Sequence, residues 1–388
     1  MTKKVLIMSA STGGGHNRAA KAMKDEIEKK CIDGEHITCE IIDSLKLINT
    51  TMDKIISSGY EKSAKYTPKA WGGVYKMSDA NIVSKHEYKG NLFNTLLASK
   101  LKKLLKERKP DLIIGTHPFP MIALSTLKKK YPYRNAFNSF FVPPLISVLT
   151  DYTAHSTYIQ DEIDYYIAGD EYVKEVLISE GVDGDKIKPY GIPVEKSFLE
   201  HREKSVVLEE LGLAPDKFTV LLMGGSFGAG NIKDTLKELL EIDRDFQIIV
   251  ITGRNETLKE KLEKSLEKHT IDKNISILGF TQDMNDILSA VDIIVSKPGG
   301  LTTTECLLKE LPMIIPYYIP GQEEENMDFL SNCGAALRTS KKFTISVLLK
   351  VLIDNPTRMK LLKNNIKSIK KQNTAEDIAN LVSNILGY

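Results

Sequence analysis

Three glycines and a histidine, Gly13-Gly14-Gly15-His16, close the stretch MSASTGGGH, which directly follows the apolar run Lys4–Ile7. Glycine loses more backbone freedom on folding than any other residue, so three in a row imply that a bare main chain is needed there. At a strand-to-helix turn such a loop lets the backbone approach a ligand closely. The helix N-terminus that follows offers free N–H groups to an oxygen-rich one. Gly14 and Gly15 are the candidate contacts, and a neutral His16 imidazole can take a proton near about pH 7. This is not the dinucleotide fingerprint G-x-G-x-x-G, because position 18 is Arg18. Nor is it a P-loop, because no Gly-Lys-Ser/Thr follows. The bland alternative is a tight turn with a histidine near a helix cap.

The stretch MGGSFGAGN, 223 to 231, repeats the device after a second apolar run. The main chain of Gly225, Ser226, Phe227 and Gly228, with the Ser226 hydroxyl, suits a diphosphate. SKPGGLTTTECL, 296 to 307, follows the run VDIIV and opens a helix. Gly299 and Gly300 sit at its turn and Thr302 in its first helical turn. Glu305 lies near the helix start, where a carboxylate suits both hydroxyls of a ribose or simply complements the helix dipole. PGQEEEN, 320 to 326, sets a turn at Gly321 and begins another helix. Gln322, Glu323 and Asn326 there could bond sugar hydroxyls, which need paired donors and acceptors. The acidic run could equally be a solvated helix start.

These motifs need elements to carry them. Strand-like runs at 4–10, 36–43, 111–117, 146–151 and 164–169 alternate with helical patterns, the first at 17–30 with Ala20, Met23 and Ile27 at helical spacing. A second alternating series has strands at 218–225, 246–253, 274–280, 291–297 and 312–318. Short Ile/Val/Leu-rich strands between helices predict α/β units with parallel sheets covered on both faces. Such sheets bind ligands at the carboxyl ends of their strands. The expected organisation is an N-terminal domain (1–195), a linker with one short helix (196–217) and a C-terminal domain (218–370). A last helix (371–388) could pack back on the N-terminal domain.

The 388 residues carry 53 basic and 51 acidic side chains, a formal net charge of +2. That balance argues against a dedicated nucleic-acid binder. Cys31, Cys39, Cys306 and Cys333 show no metal-ligand spacing and read as buried, reduced thiols. No signal peptide is visible, and the longest apolar runs fall short of the roughly 20 residues a spanning helix needs.

In order along the chain, SASTGGGH, TDYTAH, GIPV, MGGSFGAG, SKPGGLTTTECL and PGQEEEN resemble the monogalactosyldiacylglycerol synthase and processive diacylglycerol glucosyltransferase group of glycosyltransferase family 28. The resemblance runs over nearly the whole chain and is most specific at 279–338. It implies a GT-B type fold, two doubly wound Rossmann-like domains facing a central cleft. It also implies an inverting transfer of glucose or galactose from a UDP-sugar to diacylglycerol or a related lipid, without metal or other cofactor. Carried over, Ser226 and its neighbours hold the diphosphate, Phe280 lies by the uracil and Glu305 takes the ribose. Gln322, Glu323 and Asn326 then read the hexose, and His16 is the general base. Two other readings stay open: an N-acetylglucosamine transferase using a polyprenyl-linked acceptor, and a UDP-sugar-binding protein or epimerase without a lipid acceptor.

The chain departs from the group at two places. Tyr158 stands where a tryptophan usually follows the TD-x-x-x-H histidine, His155, and Ser11 stands where an acid often precedes the glycines. Asp151 is therefore the alternative base, and His155 is either an acceptor contact or a structural residue. Tyr60, Tyr66, Trp71 and Tyr75 lie among Lys54, Lys62, Lys65, Lys69 and Lys76. Aromatic residues mixed with lysines suit an anionic membrane surface, or else a solvated face. The expected location is the cytoplasm, peripherally on the cytoplasmic face of the cell membrane.

Overall fold

A computed structural model describes residues 2–11, 14–32, 34–48, 92–133, 140–224, 231–267 and 272–387. Unit 1 comprises Met1–Glu195, Pro320–Gln322 and Asn373–Tyr388, and unit 2 comprises Lys196–Ile319 and Glu323–Gln372.

Unit 1 begins with β1 (Lys4–Ser9), a short antiparallel hairpin of β2 (Cys31–Ile32) and β3 (Glu35–His36), and β4 (Thr38–Asp43). It continues with β5 (Leu112–Gly115), β6 (Leu145–Val148), β7 (Tyr165–Ile167) and β8 (Ile187–Lys188). Six strands form one sheet in the order β4-β1-β5-β6-β7-β8, every pairing parallel. β5 and β6 are buried at every residue, which explains their unbroken apolar sequences.

Unit 2 contains β9 (Thr219–Met223), β10 (Gln247–Ile251), β11 (Ile275–Leu278), β12 (Ile293–Val295), β13 (Met313–Ile315) and β14 (Ala336–Arg338). They form a second parallel sheet, β11-β10-β9-β12-β13-β14. All ten strands expected from the sequence are present. β2, β8 and β14 were not foreseen, because they lack the apolar run that marks the other strands.

Each sheet has one place where the chain reverses its direction of growth. In unit 1 it lies between β1 and β5, and in unit 2 between β9 and β12. Loops leaving the carboxyl ends of two such neighbours diverge to opposite sides and leave a crevice.

The first helix runs over Gly15–Ile27, two residues ahead of the expected start, because Gly14 caps it with φ +80°. That angle is the left-handed region, where a side chain is strained and glycine is not. The linker contains the helix Lys204–Glu210. Near the C-terminus Asn355 accepts the Arg358 N–H at 3.3 Å, and Pro356 opens the helix Pro356–Ile369. Cys39 and Cys306 are buried, whereas Cys31 is exposed and Cys333 half-exposed, so burial covers only part of the cysteine set. Cys31 sits on the surface hairpin, with Sγ 3.3 Å from His36 Nδ1.

The last helix, Thr374–Gly387, belongs to unit 1. Its Ile378, Ala379, Val382 and Leu386 share a core with Val5, Ile7, Met23 and Ile27. The Thr374 hydroxyl donates to the Tyr190 carbonyl at 2.7 Å and fixes the start of the helix. Each fully buried large apolar side chain contributes roughly 1.5–3 kcal/mol. Ile378→Ala is expected to destabilise unit 1 by about 2–5 kcal/mol in chemical denaturation, from lost burial plus the cavity left behind. A change below about 0.5 kcal/mol would mean that the helix does not close this core.

Candidate functional site

The crevice of unit 1 holds His16. β1 ends at the fully buried Ser9, whose hydroxyl donates to Asn17 Oδ1 at 2.6 Å. Asn17 Nδ2 donates to Ser11 Oγ at 3.4 Å, and Ser11 Oγ donates to the Asp43 carboxylate. Asp43 closes β4, the neighbour of β1, and its other oxygen accepts the Leu45 N–H at 3.1 Å. An acid absent from position 11 is thus present beside it, supplied by the next strand. Thr116 Oγ1 donates to Ser9 Oγ at 3.3 Å and ties the end of β5 to the same point.

His16 Nδ1 lies 2.6 Å from the Thr116 carbonyl oxygen and 3.1 Å from Thr150 Oγ1. A carbonyl only accepts, so Nδ1 carries the proton and Nε2 keeps its lone pair. The residue is half-buried. Burial pushes its pKa below the ordinary histidine value, and the Asp151 charge and the Thr116 bond offset part of that. The imidazole is therefore neutral near neutrality, with a basic nitrogen available.

His117, which the sequence reading passed over, stands against it with ring centroids 4.7 Å apart and planes at 71°. Its side chain caps the helix Pro118–Lys130 by accepting the Phe119 N–H at 3.2 Å. Burial, and then the neighbouring His16, hold its pKa well below the ordinary value. The signal available beforehand was a His-Pro pair at the carboxyl end of a buried strand.

Asp151 acts electrostatically on both His16 and Tyr158. Tyr158 is buried, its hydroxyl bonds Thr150, and burial with the Asp151 charge raises its pKa. Thr150 thus bridges Tyr158 to His16. His155 is buried and faces its own turn, accepting the Thr157 N–H at 3.2 Å with Thr157 Oγ1 at 2.7 Å from the same nitrogen.

In unit 2 the helix Gly300–Leu308 starts directly beyond β12, with Gly299 as its N-cap and no side chain capping it. Glu305 is buried at 2% exposure, Thr303 and Thr304 are also buried, and Thr302 is half-buried. Gly321, with φ +111°, turns the chain into the helix Gln322–Asn332. Glu323 and Asn326 brace that helix to the 296–299 turn. Glu323 Oε1 pairs with Lys297 and Oε2 accepts the Ile319 N–H at 2.9 Å, while Asn326 Nδ2 donates to the Pro298 carbonyl at 3.0 Å. Gln322 is half-buried. Phe280 is 56% exposed beyond β11, with the Arg254 guanidinium 5.2 Å from its ring centroid. Gly225, Ser226, Phe227 and Gly228 lie outside the described residues, as does Trp71 with the rest of the aromatic and lysine stretch 49–91.

Residues 16–194 match the family model for monogalactosyldiacylglycerol synthase, and residues 219–382 match that for the glycosyltransferase family 28 C-terminal domain. The processive diacylglycerol β-glucosyltransferase of Bacillus licheniformis is 29% identical over 377 residues, 97% of this chain and 93% of that one. The Bacillus subtilis enzyme of the same name is 28% identical over 377 residues, 97% of this chain and 94% of its own. Among solved structures, Acinetobacter baumannii MurG superposes with a TM-score of 0.63 at 13% identity, covering 99% of this chain and all of that one. Anabaena HepE in complex with UDP-glucose does so at 0.55 and 13%, covering 98% and 99%. At such identities the likeness establishes the fold, which is of the GT-B type.

The imidazoles of His16 and His117 are harder to protonate folded than unfolded. The unfolded state then binds more protons between the lowered values and the ordinary ~6.5, so stability rises with pH across that window and is lost as pH falls through it. His117→Asn keeps a capping side chain but cannot titrate. Its melting temperature should fall less steeply than that of the parent chain between about pH 7 and 5. Identical slopes would contradict the assignment of His117 as a neutral buried group.

Proposed function

We propose that this chain, which belongs to the monogalactosyldiacylglycerol synthase group and carries a glycosyltransferase family 28 C-terminal domain, transfers hexose from a UDP-sugar to diacylglycerol with inversion. It is a UDP-sugar-dependent glycosyltransferase making a membrane glycolipid. The names of the Bacillus relatives favour glucose as the hexose and more than one round of transfer.

The observation that carries the reading is the hydrogen bond between His16 Nδ1 and the Thr116 carbonyl. It leaves Nε2 as the acceptor a general base needs. The acceptor hydroxyl attacks the anomeric carbon from the face opposite the diphosphate. Its proton passes to His16 Nε2, a new C–O bond forms, and the bond from the anomeric carbon to the phosphate oxygen breaks. The electron pair leaves with UDP. Fixed N–H groups at the uncapped start of the 300–308 helix suit the charge that develops there, so the reading assigns no metal. Glu305 takes the ribose, Phe280 lies beside the uracil, and Gln322, Glu323 and Asn326 frame the hexose. Asp151 supports the charge that His16 acquires.

A peripheral membrane surface belongs to the same reading. No helix among the described residues is long and apolar enough to cross a membrane. On unit 1, Lys102 donates to the Tyr131 hydroxyl at 2.6 Å and lies 4.1 Å from that ring centroid. Lys130 lies over the same ring and Lys106 over Phe140. The Lys102 bond and the surrounding ammonium groups hold the Tyr131 phenol below its usual range. Clustered ammonium and aromatic groups suit anionic headgroups at the cytoplasmic face.

Diacylglycerol vesicles with labelled UDP-glucose, and in parallel UDP-galactose, test the activity directly. Glycolipid is expected, with glucose the better donor, and no product from either would reject the reading. Two variants separate the roles. His16→Ala should lower kcat by about 10²–10⁴ with UDP affinity nearly unchanged, whereas Glu305→Ala should weaken UDP binding by about tenfold or more.

A further inference from the structure

Two imidazole nitrogens in the unit 1 crevice are left over once the fold's own hydrogen bonds are made. His117 accepts the Phe119 N–H on Nδ1 at 3.2 Å, as the cap of the Pro118–Lys130 helix. Burial keeps its ring neutral, so it holds one proton, and an Nδ1 that accepts puts that proton on Nε2. His16 is the opposite tautomer, with its proton on Nδ1 against the Thr116 carbonyl and its lone pair on Nε2. Neither Nε2 has a hydrogen-bond partner among the described residues, although His117 is only 7% exposed. Native structures rarely leave a buried donor so. The two rings stand 4.7 Å apart at 71°. One turn holds both, since the Thr116 carbonyl fixes His16 and the next residue is His117 itself. Met121 fills the place a Cβ on Gly115 would take, which seats the helix closely on β5 and steadies that turn. The crevice therefore presents an acceptor and a donor side by side, each with its polarity set by the backbone.

We propose that His117 selects the acceptor by donating a hydrogen bond from Nε2 to an ester carbonyl on the carbon next to the attacked hydroxyl. The inference rests on the reading above, in which His16 takes the proton of a diacylglycerol hydroxyl, and adds what recognises the rest of the glycerol. A hydroxyl beside an ester is a donor beside an acceptor, the complement of the two nitrogens. The hydroxyl gives its proton to His16 Nε2, and the carbonyl takes the His117 N–H. His117 has no lone pair to spare, so it does not compete for that proton. By holding the neighbouring group it orients the attacking oxygen and leaves that oxygen's lone pairs to the anomeric carbon. A lipid without the carbonyl leaves the His117 N–H buried and unmet, and is the poorer acceptor.

Vesicles carrying 1,2-diacylglycerol, or its 1-acyl-2-alkyl ether analogue of equal chain length, test this with UDP-glucose or UDP-galactose as donor. The ether keeps the hydroxyl and lacks the carbonyl. The parent chain should prefer the ester by about tenfold or more in kcat/KM. His117→Asn keeps a side-chain cap but has no donor at the Nε2 position. Its preference should vanish through loss on the ester alone. Equal rates on both lipids in the parent chain, or an equal fall on both in His117→Asn, overturns the proposal and leaves His117 a helix cap. Nitrogen NMR of the histidine-labelled parent chain needs no variant. A short-chain diacylglycerol should shift an Nε2–H histidine signal that the ether analogue leaves in place, and equal shifts defeat the assignment. A parent chain that glycosylates neither lipid rejects the transferase reading instead.

Discussion

A parallel strand must be followed by a crossover that returns the chain to the same end of the sheet. Growth of the sheet can therefore reverse only by stepping over strands already in place. Both candidate sites of this molecule descend from that constraint. At each reversal, two adjacent strands send their loops apart and expose main-chain donors at the start of a helix. In unit 1 the reversal sets the end of β1 beside the end of β5 and so brings His16 to Thr116 and His117. In unit 2 it sets β9 beside β12, the strand that delivers Lys297 and Gly299. Each half positions its candidate site with the same topological device.

The polar connections around His16 surround an imidazole whose basic nitrogen is fixed by the fold. Ser9, Ser11, Asn17, Asp43 and Thr116 form a connected set drawn from three neighbouring strands and the first helix. None of them is paired through a single backbone interaction alone, so moving one strand end disturbs several bonds at once. Burial would favour a neutral imidazole in any tautomer, and the Thr116 carbonyl selects one of the two. Desolvation thus sets the protonation state and a backbone acceptor sets which nitrogen is basic.

Much of this was legible in the sequence, and what was not has physical reasons. Ten strands could be read because buried parallel strands are written as unbroken runs of Ile, Val and Leu. The glycine-rich turns stood out because few other demands place consecutive glycines after a strand. His117 and Thr150 were hidden because their meaning lies in which strand is adjacent, and strand order has no local signature. The same holds for Asp43, a strand-end acid that becomes the partner of Ser11 only once β4 lies against β1. Lys297 stood at the end of the expected strand 291–297. Its ion pair with Glu323 joins segments 26 residues apart, and that appears only when both have a position.

The C-terminal helix buries Ile378, Ala379, Val382 and Leu386 in the first unit, although all of unit 2 apart from its seams lies between them in the chain. During synthesis the N-terminal sheet consequently emerges from the ribosome long before the segment that seals one of its faces. Unit 2 can close as its own residues appear, but the first-made half waits with an apolar surface uncovered until the 374–387 helix is made. Completion of the amino-terminal half thereby waits on residues made after all of unit 2, and a chain cut short before them is left with its earliest part unsealed.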